Sequence, residues 1–175
     1  SGALEILKCL PHKFIKPEEL PFLKKTETEM RDKIYICVFE YKHIYVNAKI
    51  KTIGSEQEFY HNKIDYEAFD KKHFQENPEL YFPILKYYLE FISCIINTLY
   101  WVKSFKRIIK KSHLLKSSIY KDSKLMAIAD ISCDMDGAIE VMNKYTTYQK
   151  PFQVYEPVTN EYLDQIDKAS TEAII

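Results

Sequence analysis

Glycine is nearly missing from this chain: among 175 residues only Gly2, Gly54 and Gly137 are glycine. A complete dinucleotide-binding domain needs a GxGxxG-like turn, so that backbone can approach a pyrophosphate at a helix N-terminus. No such turn is present, and nucleotide binding by these residues in isolation is therefore expected to be crippled. Net charge is also lacking, because 25 basic and 25 acidic residues cancel. That balance argues against nucleic-acid binding through a global positive field. The four cysteines, Cys9, Cys37, Cys94 and Cys133, are far apart and form no CxxC pair. They exclude a disulfide frame or a zinc site, and since three lie in apolar runs they read as reduced core residues of an intracellular protein. The five histidines show no metal-ligand spacing, so no metal is assigned. The apolar run at 91–101, with Lys86 and Glu90 before it and Asn97 inside it, is too short to span a membrane.

What remains is an alternation of strand and helix signals on a length that suits one domain with a real core. Leu4, Leu7 and Leu10 at helical spacing, ended by Pro11, predict a short helix over 3–10, and Lys13-Phe14-Ile15 a brief strand. The β-branched and aromatic run at 34–39 predicts an interior strand covered on both faces. Residues 42–80 are polar, aromatic and weakly periodic, and Asn77-Pro78 predicts a helix reaching about residue 89. The tyrosines here, including Tyr60, Tyr66 and Tyr81, read as packing residues more readily than as a stacking platform for bases. A fourth strand is expected within 89–101. Residues 103–116 form a basic amphipathic stretch with Phe105, Ile108 and Ile109 on one face. An outer helix of an α/β layer explains that pattern more simply than a calmodulin target or a membrane-surface helix. A loop over 117–124 leads into an apolar strand at 125–129, and after Gly137 the pattern becomes an extended ribbon. The fold expected is α/β, an incomplete Rossmann-like parallel sheet with helices on both faces and a small extended C-terminal ribbon.

The run Ile128-Ala129-Asp130-Ile131-Ser132-Cys133-Asp134-Met135-Asp136-Gly137-Ala138-Ile139-Glu140 carries the site. Parallel sheets bind ligands beyond the carboxyl ends of their strands, which puts Asp130 and Asp134 at a candidate site. With Thr146-Thr147 and Pro151-Phe152 downstream, this run resembles the last part of the nucleotide-binding domain of the alanine dehydrogenase and saccharopine dehydrogenase superfamily. There a strand ending in Asp-Ile-x-x-Asp is followed by Gly-Gly, Thr-Thr and Pro-Phe. The likeness is strongest to the lysine-ketoglutarate reductase half of the bifunctional aminoadipic semialdehyde synthases, through Ala138-Ile139-Glu140 and Tyr155-Glu156-Pro157-Val158. Residues 1–7 resemble the entry to the family's first helix, just past its first strand and glycine loop, and residues 170–175 resemble the approach to its strand before an Asp-Asn-Leu-Pro segment. The resemblance implies that 1–175 is a fragment of one NAD(P)-binding domain, inactive alone, with 42–80 inserted in it. An expression scar at Ser1-Gly2 on a complete domain is the alternative.

The resemblance further implies reductive condensation of lysine with 2-oxoglutarate to saccharopine, or the reverse, with hydride from NADPH. Lys16 stands where a carboxylate would bind the ribose 2′-hydroxyl and a cation the 2′-phosphate, which points to NADP, with NAD and a plain solvated lysine as alternatives. Asn97, Thr98, Leu99 and Tyr100 match an Ile-Asn-Gly-Ile-Tyr-Trp-like segment facing the cofactor, although packing alone would explain Leu99 and Trp101. Asp134 matches the aspartate facing nicotinamide and substrate and is the candidate for a supporting catalytic role, while Asp130 is suited to orienting the loop or contacting ribose. Both aspartates merely bonding loop amides is the plainer reading. Met135-Asp136 departs from the family's small residues. The expected partners are small molecules, with no nucleic acid and no membrane, and a homo-oligomer and a fused saccharopine-oxidising domain both stay open. The expected setting is cytoplasmic or mitochondrial. Two other classes stay open: an alanine dehydrogenase or transhydrogenase-like domain, and a non-catalytic module that has lost its glycine loop.

Overall fold

The computed structural model describes residues 2–23, 32–48, 65–115, 124–163, 165–166 and 173–175. Tyr60, residues 49–64 of the expected insertion, 117–123 of the expected loop, Ser1 and residues 170–172 lie outside the described residues. The chain opens with α1 (Gly2–Leu7) and then β1 (His12–Ile15), where Pro11 and Pro17 bracket a strand that cannot continue as helix on either side. A 3₁₀ turn, Pro17–Phe22, comes next; the Glu19 carboxylate accepts the Lys16 backbone N–H at 2.8 Å and so closes its first turn. Beyond it lie β2 (Ile34–Cys37), the single turn α2 (Tyr41–Ile44), β3 (Tyr45–Asn47), α3 (Lys71–Glu76) and β4 (Tyr81–Pro83). Asp70 caps α3, its Oδ1 accepting the Lys72 and His73 amides. The last strands are β5 (Cys94–Asn97), β6 (Ala127–Asp130), β7 (Val154–Glu156) and β8 (Glu161–Leu163).

The architecture is mixed α/β, as the alternation predicts. β1 pairs with β2 in parallel, from His12 opposite Ile34 to Ile15 opposite Cys37, and β5 pairs with β6 in parallel, from Cys94 opposite Ala127 to Asn97 opposite Asp130. β3 with β4 and β7 with β8 are antiparallel, and the latter hairpin is the expected C-terminal ribbon. One core cluster gathers Phe74, Leu89, Ile108, Ile109, Leu125, Ile139 and Tyr155, and a second gathers Ile15, Leu20, Ile84, Tyr87 and Tyr88. Phe39 and Ile92 pack against both, which joins β1 and β2 to the larger core.

Several expectations are corrected. No helix runs from 77 to 89: a 3₁₀ turn at Pro78–Leu80 gives way to β4, which pairs with β3, and Pro83 has neither the N–H nor the clearance for a helix interior. No outer helix covers 103–115. Phe105, Ile108 and Ile109 are buried as a face, but the backbone there is irregular, with a single bridge at Ile109, because the Ile108 and Ile109 amides bond the Ala138 carbonyl and the Glu140 amide bonds the Ile109 carbonyl. The run at 34–39 is less interior than expected: only Ile36 is buried, Val38 is exposed, and β2 has β1 as its strand partner among the described residues. The cysteines are free, but Cys9, Cys94 and Cys133 are exposed rather than core. Cys37 alone is largely covered, and burial, reinforced by Glu18 and Glu19, pushes its thiol up to about 12. Tyr66 and Tyr81 do pack, through a 2.6 Å bond to the Tyr88 hydroxyl and a 2.9 Å bond to His73 Nδ1.

Candidate functional site

The parallel register of β5 and β6 sets Asn97 opposite Asp130 at the carboxyl ends of both strands. Both are buried, at 5% and 8% exposure. Burying a carboxylate is costly unless donors surround it, and three do. Asp130 Oδ1 accepts Asn97 Nδ2 at 2.9 Å, the Ser132 hydroxyl at 2.6 Å and the Ser132 amide at 3.1 Å. Asn97 Oδ1 in turn accepts the Leu99 amide at 3.2 Å, and the Ile131 amide bonds the Asn97 carbonyl at 2.9 Å. Each side chain thus reaches two residues ahead and turns its own strand into the adjoining loop. Asp130 Oδ2 is buried without a partner among the described residues.

The loops so positioned carry the exposed groups. Thr98, Asp134 and Tyr100 are exposed, Tyr100 at 74%, and Leu99 is half-buried against the core. The Tyr100 carbonyl accepts the Tyr41 hydroxyl, which ties this loop to α2. Trp101 packs on the core and donates to the Lys106 carbonyl at 3.4 Å, the packing role considered for it. After β6 the backbone enters the left-handed region twice, at Cys133 (φ 54°) and Asp136 (φ 58°). For L-residues that is strained, and Asp tolerates it better than most. Asp136 stands where the resembled motif has glycine, and Arg107 holds it by pairing with its carboxylate and, at 3.3 Å, its carbonyl. Arg107 also meets Glu140 at 3.5 Å, and Glu140 Oε2 accepts the Lys111 amide at 2.7 Å. Gly137 is obligatory: its amide bonds the Asp134 carbonyl at 3.0 Å, and a Cβ there would come within 2.6 Å of that oxygen and of Asp134 Cβ.

Of the residues predicted for the site, Asn97, Thr98, Leu99, Tyr100, Asp130 and Asp134 share one strand end. Lys16 is exposed at the carboxyl end of the other parallel pair, just past β1. Ser132, Tyr41 and Arg107 were not anticipated. An Asp-x-Ser turn signal was present for Ser132, whereas Tyr41 and Arg107 arrive from distant sequence with no local signal. Away from this face a small cleft is lined by Lys42, Tyr45, Asn47, Asp65, Phe69 and Tyr81, none of them predicted site residues. Among the described residues no group of three His, Cys, Asp or Glu side chains gathers at metal-holding range, and no helix is long and apolar enough to cross a membrane.

No family model matches the chain. It is 32% identical over 168 residues to an alpha-aminoadipic semialdehyde synthase of Arabidopsis thaliana, a stretch covering 95% of the chain and 15% of that relative. Mitochondrial alpha-aminoadipic semialdehyde synthases of Rattus norvegicus and Mus musculus are each 28% identical over 169 residues, covering 89% of the chain and 16% of the relative. The chain therefore spans less than a fifth of the length of these curated relatives.

Proposed function

Because the chain is homologous along 95% of its length to a segment of alpha-aminoadipic semialdehyde synthase, we propose that it is nucleotide-binding structure of an oxidoreductase of lysine degradation. The parent enzyme joins lysine to 2-oxoglutarate and reduces the resulting imine to saccharopine with NADPH, in a mitochondrion or the cytoplasm. The observation that carries this reading is the buried Asn97–Asp130 pair at the ends of two parallel strands, where open α/β sheets bind ligands. The residues there suit a dinucleotide. Asp134 and Thr98 offer exposed acceptors for ribose or carboxamide groups, and Lys16 offers a cation at the place that discriminates a 2′-phosphate. Bound there, the dinucleotide supplies hydride.

The chain's own residues orient and exclude. The Asn97–Asp130–Ser132 network holds two loops in fixed turns, and the covered core behind it keeps water from that side. Asp134, exposed on the loop that Gly137 and Arg107 hold, faces the reacting end and fixes the substrate amine by charge. The proton donor is not assigned to any residue of this chain.

The test is NADPH and NADH consumption by the full-length parent with lysine plus 2-oxoglutarate, beside pyruvate plus ammonium. Turnover with the first pair is expected, and Asp134→Ala is expected to lower kcat about 10- to 100-fold, the scale of a lost charge interaction in the transition state, with an unchanged melting temperature. Turnover with the second pair alone would make this an alanine dehydrogenase-like domain, and none with either would favour a non-catalytic module.

A further inference from the structure

The loop that leaves β5 carries Thr98 and Tyr100 to the candidate site, yet no ladder holds it. Among the described residues no backbone–backbone hydrogen bond involves residues 98–101. Such a segment keeps one conformation only where side chains and packing fix its polar groups, and among the described residues two side chains do so. Asn97 Oδ1 accepts the Leu99 amide at 3.2 Å, a turn two residues long, and the Tyr41 hydroxyl donates to the Tyr100 carbonyl from 59 residues away. The first bond is local and moves with the loop. The second ties the loop to another part of the fold.

Tyr41 is a firm post for that bond. It opens α2, and its half-buried ring lies against Phe74, with centroids 5.7 Å apart, and against Tyr45 and Phe105, each at 6.5 Å. The Lys71 ammonium stands 5.7 Å from the same ring. Burial, with the Tyr100 phenol nearby, raises the Tyr41 pKa above the ordinary tyrosine value, so the hydroxyl keeps its proton at neutral pH and remains a donor. The Tyr45 amide bonds the Tyr41 carbonyl and so shuts α2 on the same residue. We propose that Tyr41 is a positioning residue of the site: its hydroxyl sets the 98–101 loop in the turn that faces the ligand, and so governs how tightly a dinucleotide is held there. The ligand in this inference rests on the dinucleotide reading of the site, whereas the hold on the loop is a matter of geometry. Tyr41 acts through the Tyr100 carbonyl, so its loss weakens binding alike in the ground state and the transition state.

The test compares Tyr41→Phe with wild type in the full-length parent, beside Tyr162→Phe, which loses a bond of the same kind to the Val141 carbonyl, 2.8 Å long, in the C-terminal ribbon. Tyr41→Phe is expected to weaken NADPH binding about 3- to 10-fold, the scale of one net hydrogen bond. The loss should fall on KM for NADPH, with kcat within about twofold of wild type. The Leu99 amide is expected to exchange faster by about 3- to 10-fold, and Tyr162→Phe to alter neither. Unchanged NADPH affinity in folded Tyr41→Phe overturns the proposal. So does an equal loss in Tyr162→Phe, or weakened binding with an unchanged Leu99 amide, because either assigns the effect elsewhere. If the wild type binds neither NADPH nor NADH, the functional reading fails on its own account, and the Leu99 amide decides the part played by Tyr41: faster exchange in Tyr41→Phe upholds its hold on the loop, and an unchanged rate overturns it. Should Tyr41→Phe not fold, the wild type decides. By linkage, NADPH is expected to slow exchange of the Tyr45 amide in α2 more than that of the Tyr155 amide in β7, and equal slowing overturns the proposal.

Discussion

A single carboxylate oxygen, Asp130 Oδ1, accepts three donors from two residues, Asn97 at the end of β5 and Ser132 in the loop after β6. Replacing Asp130 with alanine leaves the Asn97 amide and the Ser132 hydroxyl and N–H without their acceptor in a covered site. The cost of stranding such groups is about 1–3 kcal/mol, so Asp130→Ala is expected to lower unfolding stability by about 2 kcal/mol in urea titrations; a loss under about 0.5 kcal/mol would show that the network holds nothing in place. Asp130→Asn, which restores one acceptor, should recover part of it. Cys133 and Asp136 illustrate a different residue-level device, two left-handed positions taken by non-glycine residues next to the exposed Asp134. Strain of this sort costs about 1 kcal/mol or more per residue and persists only where neighbours over-determine it, here through Arg107 and the packed turn at Gly137.

The segment 105–111 shows how an element's register overrides its own periodicity. Its apolar residues recur at helical spacing, yet each finds a better partner than the next turn of helix: Ile109 bridges Ile139 in parallel, and both are fully buried. This pairing carries Arg107 to Asp136 and Glu140 and so supports the loop that presents Asp134. Truncating Ile109 removes apolar area and leaves a cavity under that loop, at a cost of about 3 kcal/mol. Ile109→Ala is expected to show that loss in chemical denaturation, together with faster hydrogen exchange at Glu140, whose amide bonds the Ile109 carbonyl. A loss below about 1 kcal/mol would mean that the segment is not held by its core contact.

Stability of the whole molecule should carry one pH signature from a covered base. His113 accepts the Lys110 amide at Nδ1 (3.2 Å), and burial, with Lys86 and Lys110 nearby and Glu140 opposing, pushes its pKa down from 6.5 to about 4. The unfolded chain binds the proton that the folded chain refuses, so this contribution is complete above about pH 6.5 and is lost as pH falls from 6.5 toward 4. His113→Gln, which keeps an acceptor and cannot titrate, is expected to flatten the fall of melting temperature across that window. An unchanged slope would show that His113 titrates as freely in the fold as outside it.

The chain's periodicities by themselves determined the alternating α/β character, strands near 13–15, 34–39, within 89–101 and at 125–129, and the ribbon after Gly137; the resemblance alone set Asn97 at a strand end, and its meeting with Asp130 came only with the parallel register. The strands and the ribbon were legible because strand patterns and Pro, Asp and Gly punctuation act within a few residues. Tertiary structure decided the rest. It turned 105–110 from an apparent helix into an irregular segment bridged to Ile139 through Ile109, broke 77–89 at β4, brought Tyr41 and Arg107 to the site, and set three cysteines at the surface. Each of those outcomes depends on which distant backbone supplies a hydrogen-bond partner or covers a face, and that free energy is absent from any local window of sequence.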